Sequence, residues 1–156
     1  NSVAFPARDD NGCSNGAGVL IGVEVSSVTG TGTPTLTVGY TNSAGTSGRI
    51  ATNLIATMGA SVAGAFYPIG LQSGDSGVRS IQTYQQSATW TSGTIHLVAY
   101  RVLARLGLPV ANAPYSMDLI TGGQPKAWND TVPFLVCVPG TSATSTINGH
   151  LIWSIA

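Results

Sequence analysis

Charge is the scarcest property of this sequence. Only 8% of its 156 residues are Asp, Glu, Lys or Arg, and six basic side chains balance six acidic ones. A protein that binds nucleic acid needs clustered Lys and Arg to neutralise phosphates, so we expect no nucleic-acid partner. Low charge also leaves little electrostatic repulsion between copies. The composition therefore predicts a surface of small polar residues that associates easily with itself.

Long apolar runs and metal-binding clusters are also lacking. No stretch reaches the eighteen or so apolar residues of a membrane-spanning helix, so we expect no membrane partner. The two histidines, His96 and His150, have no cysteine or carboxylate cluster at ligand spacing. The sequence therefore predicts no metal and no cofactor.

Cysteine occurs only twice. Cys137 lies in the apolar run FLVCV, which predicts a small core residue, whereas Cys13 lies in a loop rich in Gly and Asn. A disulfide would need their Cα atoms within about 7 Å, which the spacing leaves open. Two free thiols are the expectation.

Short β-prone segments fill the rest of the chain. Twenty glycines and eight prolines interrupt them at intervals of roughly ten residues, and no segment keeps helical periodicity over three turns. The pattern predicts an all-β, jelly-roll-like β-sandwich of antiparallel strands with little or no helix. The length suits a single domain, so we expect an N-terminal loop or arm over residues 1–18 and one sandwich over 19–156.

The most apolar β-prone run is residues 93–108, for which we predict a central strand at 93–101. Two alternating segments, 19–28 and 35–41, are joined by a loop too short for a crossover helix, so we expect them to be antiparallel neighbours. Pro68 places a further strand, 65–71, at a sheet edge or strand end. The remaining predicted strands are 49–56, 78–86, 134–138 and 149–155.

Catalytic motifs are weak. The string GDSG at 74–77 matches the nucleophile motif of chymotrypsin-like proteases, but both histidines follow it, whereas in that family the base precedes the serine. Asp9 to Gly12 resembles the start of a calcium loop without its later ligands. Both strings predict ordinary turns. Paired carboxylates among Asp75, Asp118 and Asp130 leave a small hydrolase as a remote alternative, and our prediction is that the protein is not an enzyme.

The segment 110–130 is an unusually long connection without periodicity, and such loops usually carry function. Its aromatic residues Tyr115 and Trp128, together with Arg105 and Asp130, are the predicted oligomer or capsid contact residues. Arginines at strand ends are also expected to pair with loop carboxylates; they are Arg49, Arg79, Arg101 and Arg105.

Three segments carry a resemblance to a known class: GTPTLTVGYTNSAGTSGR at 32–49, LQSGDSGVRSIQ at 71–82 and SGTIHLVAYRVLARL at 92–106. They resemble structural proteins of tailed-bacteriophage virions, in particular small Gly/Thr-rich proteins that decorate capsids. TGGQPKAWND at 121–130 and the closing GHLIWSIA fit the same style.

The resemblance implies a capsid decoration or cement protein on the virion's capsid surface. Its partners would be itself, as a homotrimer, and the major capsid protein. It would stabilise the shell by binding only the assembled state through many repeated contacts. The alternative is a tail, baseplate or fibre component with a receptor- or glycan-binding role, in which Trp90 or Trp128 would stack on sugar.

Overall fold

A computed structural model describes residues 3–52, 59–108, 113–118, 122–123, 125–129 and 131–138. Its regular structure consists of β1 (Val3–Ala4), β2 (Leu20–Ser27), β3 (Leu36–Asn42), β4 (Arg49–Thr52), β5 (Phe66–Ile69), β6 (Val78–Gln86) and β7 (Thr94–Tyr100). The strands form a four-stranded sheet, β1-β6-β3-β4, and a three-stranded sheet, β5-β2-β7. All pairings are antiparallel. The all-β sandwich is confirmed, and jelly-roll connectivity stays a prediction.

The core lies between the inner faces of the two sheets. Alternate residues of β2 and β3 are fully buried, as their period-two patterns predicted, because each strand turns one face towards the opposite sheet. Burial of each such aliphatic side chain contributes about 1.5–3 kcal/mol. The buried residues of these two strands belong to one hydrophobic cluster: Ile21, Val23, Val25, Leu36, Val38 and Tyr40.

The predicted pairing of β2 with β3 is wrong. β2 lies between β5 and β7, whereas β3 lies between β6 and β4 in the other sheet. Stacked sheets are about 10 Å apart, a gap that the connecting residues 28–35 can cross. The two apolar stripes therefore face each other across the core instead of lying side by side.

The prediction of a central strand at 93–101 is also wrong in its position. Among the described residues, β7 pairs only with β2 and is an edge of the three-stranded sheet, whose central strand is β2. The inward positions of β7 were predicted correctly, since Ile95 and Leu97 pack against the core. β5, which contains Pro68, lies at the opposite edge, as expected.

The predicted strand at 134–138 is not formed; this stretch is irregular and exposed. Of the predicted strand 49–56, residues 49–52 form β4 and 53–56 lie outside the described residues, as does the predicted strand 149–155. Cys137 is exposed instead of buried in the core, and both it and Cys13 are free thiols.

Candidate interaction surface

None of the described residues after β7 belongs to either sheet. We call the described residues from 101 to 138 the C-terminal segment. Of the thirteen exposed large hydrophobic side chains among the described residues, nine belong to it: Val102, Leu106, Leu108, Tyr115, Val132, Phe134, Leu135, Val136 and Val138. Exposed apolar side chains are thus concentrated in this part of the sequence, which makes the segment the candidate for binding other molecules.

Trp128 attaches this segment to the N-terminal loop. Its indole N–H donates a hydrogen bond of 2.8 Å to the carbonyl oxygen of Asp9. The ring lies so close to Gly12 that a Cβ there would be 2.6 Å from it, and Gly12 also has a φ of 73°. Lys126 Nζ lies 4.9 Å from the ring centroid, a cation–π distance. Trp128 thus anchors the segment to the N-terminal loop, and its predicted role as an oligomer or capsid contact stays a prediction.

Arg101 makes a second attachment at the same place. Its Nε donates to the Asp10 carboxylate at 2.8 Å, and one terminal nitrogen donates to the carbonyl oxygen of Arg8 at 3.1 Å. The guanidinium also reaches the carbonyl oxygen of Lys126, at 3.4 Å and 3.5 Å. The Arg101 side chain is only 11% exposed. Asp10 is not among the loop carboxylates for which such pairing was predicted; that prediction is confirmed instead by Arg49 and Asp75, whose Nε and carboxylate oxygen are 2.8 Å apart.

The N-terminal loop is itself organised by Asp9. The Asp9 carboxylate accepts hydrogen bonds from the backbone N–H groups of Asn11 (2.9 Å), Cys13 (2.7 Å) and Ala17 (3.3 Å). Burial alone would raise its pKa, but these backbone donors outweigh burial and hold the pKa of Asp9 below its ordinary value. The predicted turn is confirmed, and it forms an ordered platform for Trp128.

A second contact between the body and the segment is aromatic. Phe134 packs on Phe66 of β5 and Tyr100 of β7, with ring centroids 5.4 Å and 6.3 Å apart, and Phe66 meets Tyr100 edge-on at 5.1 Å. Gly22 provides the space, because a Cβ there would be 2.3 Å from the Phe66 ring. Burial raises the pKa of Tyr100, an effect that the positive charge of Arg105 opposes. Phe134 is still 51% exposed, so this contact is partial.

The structure does not bring the four predicted contact residues together. Arg105 lines a shallow groove of about 530 Å³ with Leu20, Pro68 and Tyr100 among its neighbours. Trp128 lines a different depression, with Arg8, Lys126 and Asn129. Tyr115 is 36% exposed. Asp130 lies outside the described residues.

The most polar cluster lies at one end of the sandwich, around Asp75 of the GDSG turn. Its carboxylate accepts hydrogen bonds from the Tyr40 hydroxyl, from Asn42 Nδ2 at 2.7 Å and from Arg49 Nε at 2.8 Å, and its side chain is 3% exposed. The Tyr40 oxygen in turn accepts the Gln72 N–H at 2.9 Å. Arg49 and then Tyr40 hold the pKa of Asp75 at about 2. These contacts tie the turn to β3 and β4.

In the part of the chain that the structure describes, no histidine hydrogen-bonds to the serine of the GDSG string. The Ser76 hydroxyl lies 3.3 Å from the hydroxyl of Ser43. His96 points from the outer face of β7 and its Nδ1 lies 3.1 Å from Glu24 Oε2. His150 lies outside the described residues. The geometry thus supports the turn interpretation of GDSG.

Within the described ranges, no three His, Cys, Asp or Glu side chains are grouped closely enough to hold a metal ion. The same part of the chain contains no helix of the length and apolarity that a membrane crossing requires. Comparison with protein-family models, with characterised proteins and with solved structures finds no match.

Proposed function

We propose that this protein is a structural component of a tailed-phage virion that binds the outside of the capsid shell as a decoration or cement protein. It acts as a homo-oligomer whose repeated contacts with the major capsid protein stabilise the shell. The observation that carries the proposal is the division of the molecule into a charge-poor β-sandwich and a C-terminal segment with nine exposed large hydrophobic side chains.

This division suits binding to an assembled lattice. A protein that binds only the assembled shell stabilises it by mass action, and many copies multiply a weak contact. Weak electrostatic repulsion lets copies lie side by side at high density. Large exposed apolar groups then provide the contact area, since removal of apolar surface from water is the main favourable term in association.

The glycan-binding alternative depended on an accessible indole at Trp90 or Trp128. Trp90 packs against the hydrophobic core, and Trp128 contacts Gly12 and donates to Asp9. Neither arrangement is typical of a platform on which a sugar ring stacks. The described residues therefore favour the decoration role over a receptor-binding role in the tail.

The test is co-sedimentation of the purified protein with empty tailed-phage shells assembled without accessory proteins. We expect binding that saturates at a fixed ratio to capsid subunits and a higher disruption temperature of the shells by calorimetry. Unassembled capsid protein is the control and should not bind.

A matched pair of variants locates the contact. Leu135→Ser changes a side chain of the C-terminal segment that is 83% exposed, and Val62→Ser changes one of the body that is 67% exposed. Shell binding should weaken in the first and stay unchanged in the second. Binding to isolated tails in preference to shells, or to neither, would contradict the proposed function.

A further inference from the structure

Among the described residues, the seven-residue strand β7 is the longest edge strand, and one apolar stretch that follows it has no β-partner. Within those residues, β7 pairs with β2 alone. The stretch is Thr131–Val138, which has no charged residue and includes Val132, Leu135 and Val138 at 82–86% exposure. We propose that Phe134–Val138 of one copy adds as an antiparallel strand to the β7 edge of a second copy. This inference rests on the homo-oligomer of the proposed function.

The free backbone groups of β7 can be assigned from its neighbour. Val25 of β2 donates to Ala65 and accepts from Gly64, so its backbone groups point towards β5. Backbone groups alternate along a strand, so Leu20, Gly22 and Glu24 point towards β7. Their partners across the pair are Tyr100, Val98 and His96. The N–H and C=O groups of Ile95, Leu97 and Ala99 therefore point outwards from the free edge.

Pro133 selects which residues of the stretch can bond to that edge. Proline has no N–H, so its side of an added strand must face away from the partner. Because N–H groups alternate in direction along a strand, those of Leu135 and Cys137 also point away from the partner. Those of Phe134, Val136 and Val138 point towards it. The new outer edge then lacks a donor at Pro133, which hinders the addition of further strands.

The side chains also match in an antiparallel arrangement. Residues that face each other across an antiparallel pair lie on the same face of the sheet. Phe134, Val136 and Val138 would then extend the inner face on which Ile95 and Leu97 lie. That face is incompletely covered at the edge, since Ile95 and Leu97 are only partly buried and Ala99 is exposed. The added strand would cover it.

The partner is a second copy because the same chain carries both the apolar stretch and the longest edge strand of the described residues, β7, and neither bears strong charge. Such a contact is heterologous, joining different surfaces of the two copies, and it forms a ring when the rotation closes. The stretch is held to its own body through the half-exposed ring of Phe134, a contact that the exchange would replace.

Two proline variants of the full chain test the proposal. Val136→Pro removes an N–H that the added strand needs, whereas Leu135→Pro removes one that points away. We expect Val136→Pro to weaken self-association at least about tenfold and Leu135→Pro to have much the smaller effect, measured by analytical ultracentrifugation. Unchanged thermal melting of the sandwich would show that both variants fold.

Hydrogen exchange distinguishes strand addition from unspecific association. The amides of Ile95, Leu97 and Ala99 should be protected in the wild-type oligomer and exchange rapidly in Val136→Pro. Fast exchange of these amides in a stable oligomer, equal effects of the two prolines, or a wild-type monomer would overturn the proposal. Shell binding without this protection would overturn this inference and leave the proposed function standing. Protection without shell binding would support this inference and overturn the proposed function.

Discussion

The sandwich and the C-terminal segment use apolar residues in opposite ways. In β2 and β3 apolar residues alternate with polar ones, and one face of each strand is buried against the other sheet. In the stretch FLVCV they are consecutive, a pattern typical of a strand that is covered on both faces. The described chain leaves Leu135 and Val138 largely exposed. The apolar surface of this segment therefore exceeds what the described sandwich covers.

The two regions are joined by a few specific contacts. Trp128 and Arg101 connect the segment to the N-terminal loop, and Phe134 connects it to the outer face of the three-stranded sheet. Contacts of this kind position the segment without burying most of it. Substitutions in the core, in these connections and at the ionised groups of the body should therefore have different effects on stability.

The largest effect is expected from the same substitution made in both regions. Val25 is fully buried in β2, whereas Val138 is 86% exposed. Val25→Ala removes two methyl groups from a packed core and should lower the free energy of unfolding by about 2 kcal/mol, whereas Val138→Ala should change it by less than about 0.5 kcal/mol. Urea denaturation of dilute protein measures both. Equal losses would show that Val138 is part of the folded core.

An intermediate effect is expected when the segment is detached from the N-terminal loop. Trp128→Ala removes the hydrogen bond to Asp9 and the packing on Gly12, and it should cost about 1.5 kcal/mol of unfolding free energy. Trp128→Phe keeps part of the packing and should cost about 1 kcal/mol. Tyr115→Ala is the control and should have little effect. If Trp128→Ala left stability unchanged, the indole would not be an anchor.

The sequence predicted well whatever depends on local periodicity. The positions of β2, β3, β5 and β6, the inward residues of β2 and β3 and the turn at Asp9 all follow from alternation and turn chemistry. Sheet membership was predicted incorrectly for β2 and β3, because alternation is the same for strands that pair and strands that face each other across a core. β7 was placed centrally because its high apolar content does not distinguish an edge strand from an inner one.

The candidate surface was predicted only in part. The long connection drew attention to Trp128, but its role depends on Asp9 and Gly12, more than a hundred residues away in the sequence. Arg101 was recognised as a strand-end arginine, whereas its partner Asp10 could not be chosen among six acidic residues. The exposure of 131–138 was missed, because an apolar run by itself predicts burial.

The smallest effect is expected from acid, acting on Asp75. Its folded pKa of about 2 lies below the ordinary 3.8, so the ionised carboxylate contributes stability above about pH 4 and loses that contribution as pH falls towards 2. Asp75→Asn should therefore be less stable than wild type at pH 7 and should lose less stability between pH 4 and pH 2. Urea midpoints at both ends of this range measure the difference.

Glu24→Gln is the control for this pH series, since the Glu24 side chain is 43% exposed. It should retain the wild-type acid dependence. Part of that dependence should also persist in Asp75→Asn, because the pKa of Asp9 is lowered as well. If Asp75→Asn lost as much stability as wild type between pH 4 and pH 2, the carboxylate would not tie the turn to β3 and β4.

The most direct test of the whole account is the solution mass of the full chain, measured by light scattering over a hundredfold dilution. The account holds that the C-terminal segment provides contacts with the shell and, through Phe134–Val138, with a second copy, so it predicts a defined oligomer, with a trimer expected from the resemblance to decoration proteins. A monomer of 15.8 kDa at every concentration would contradict it.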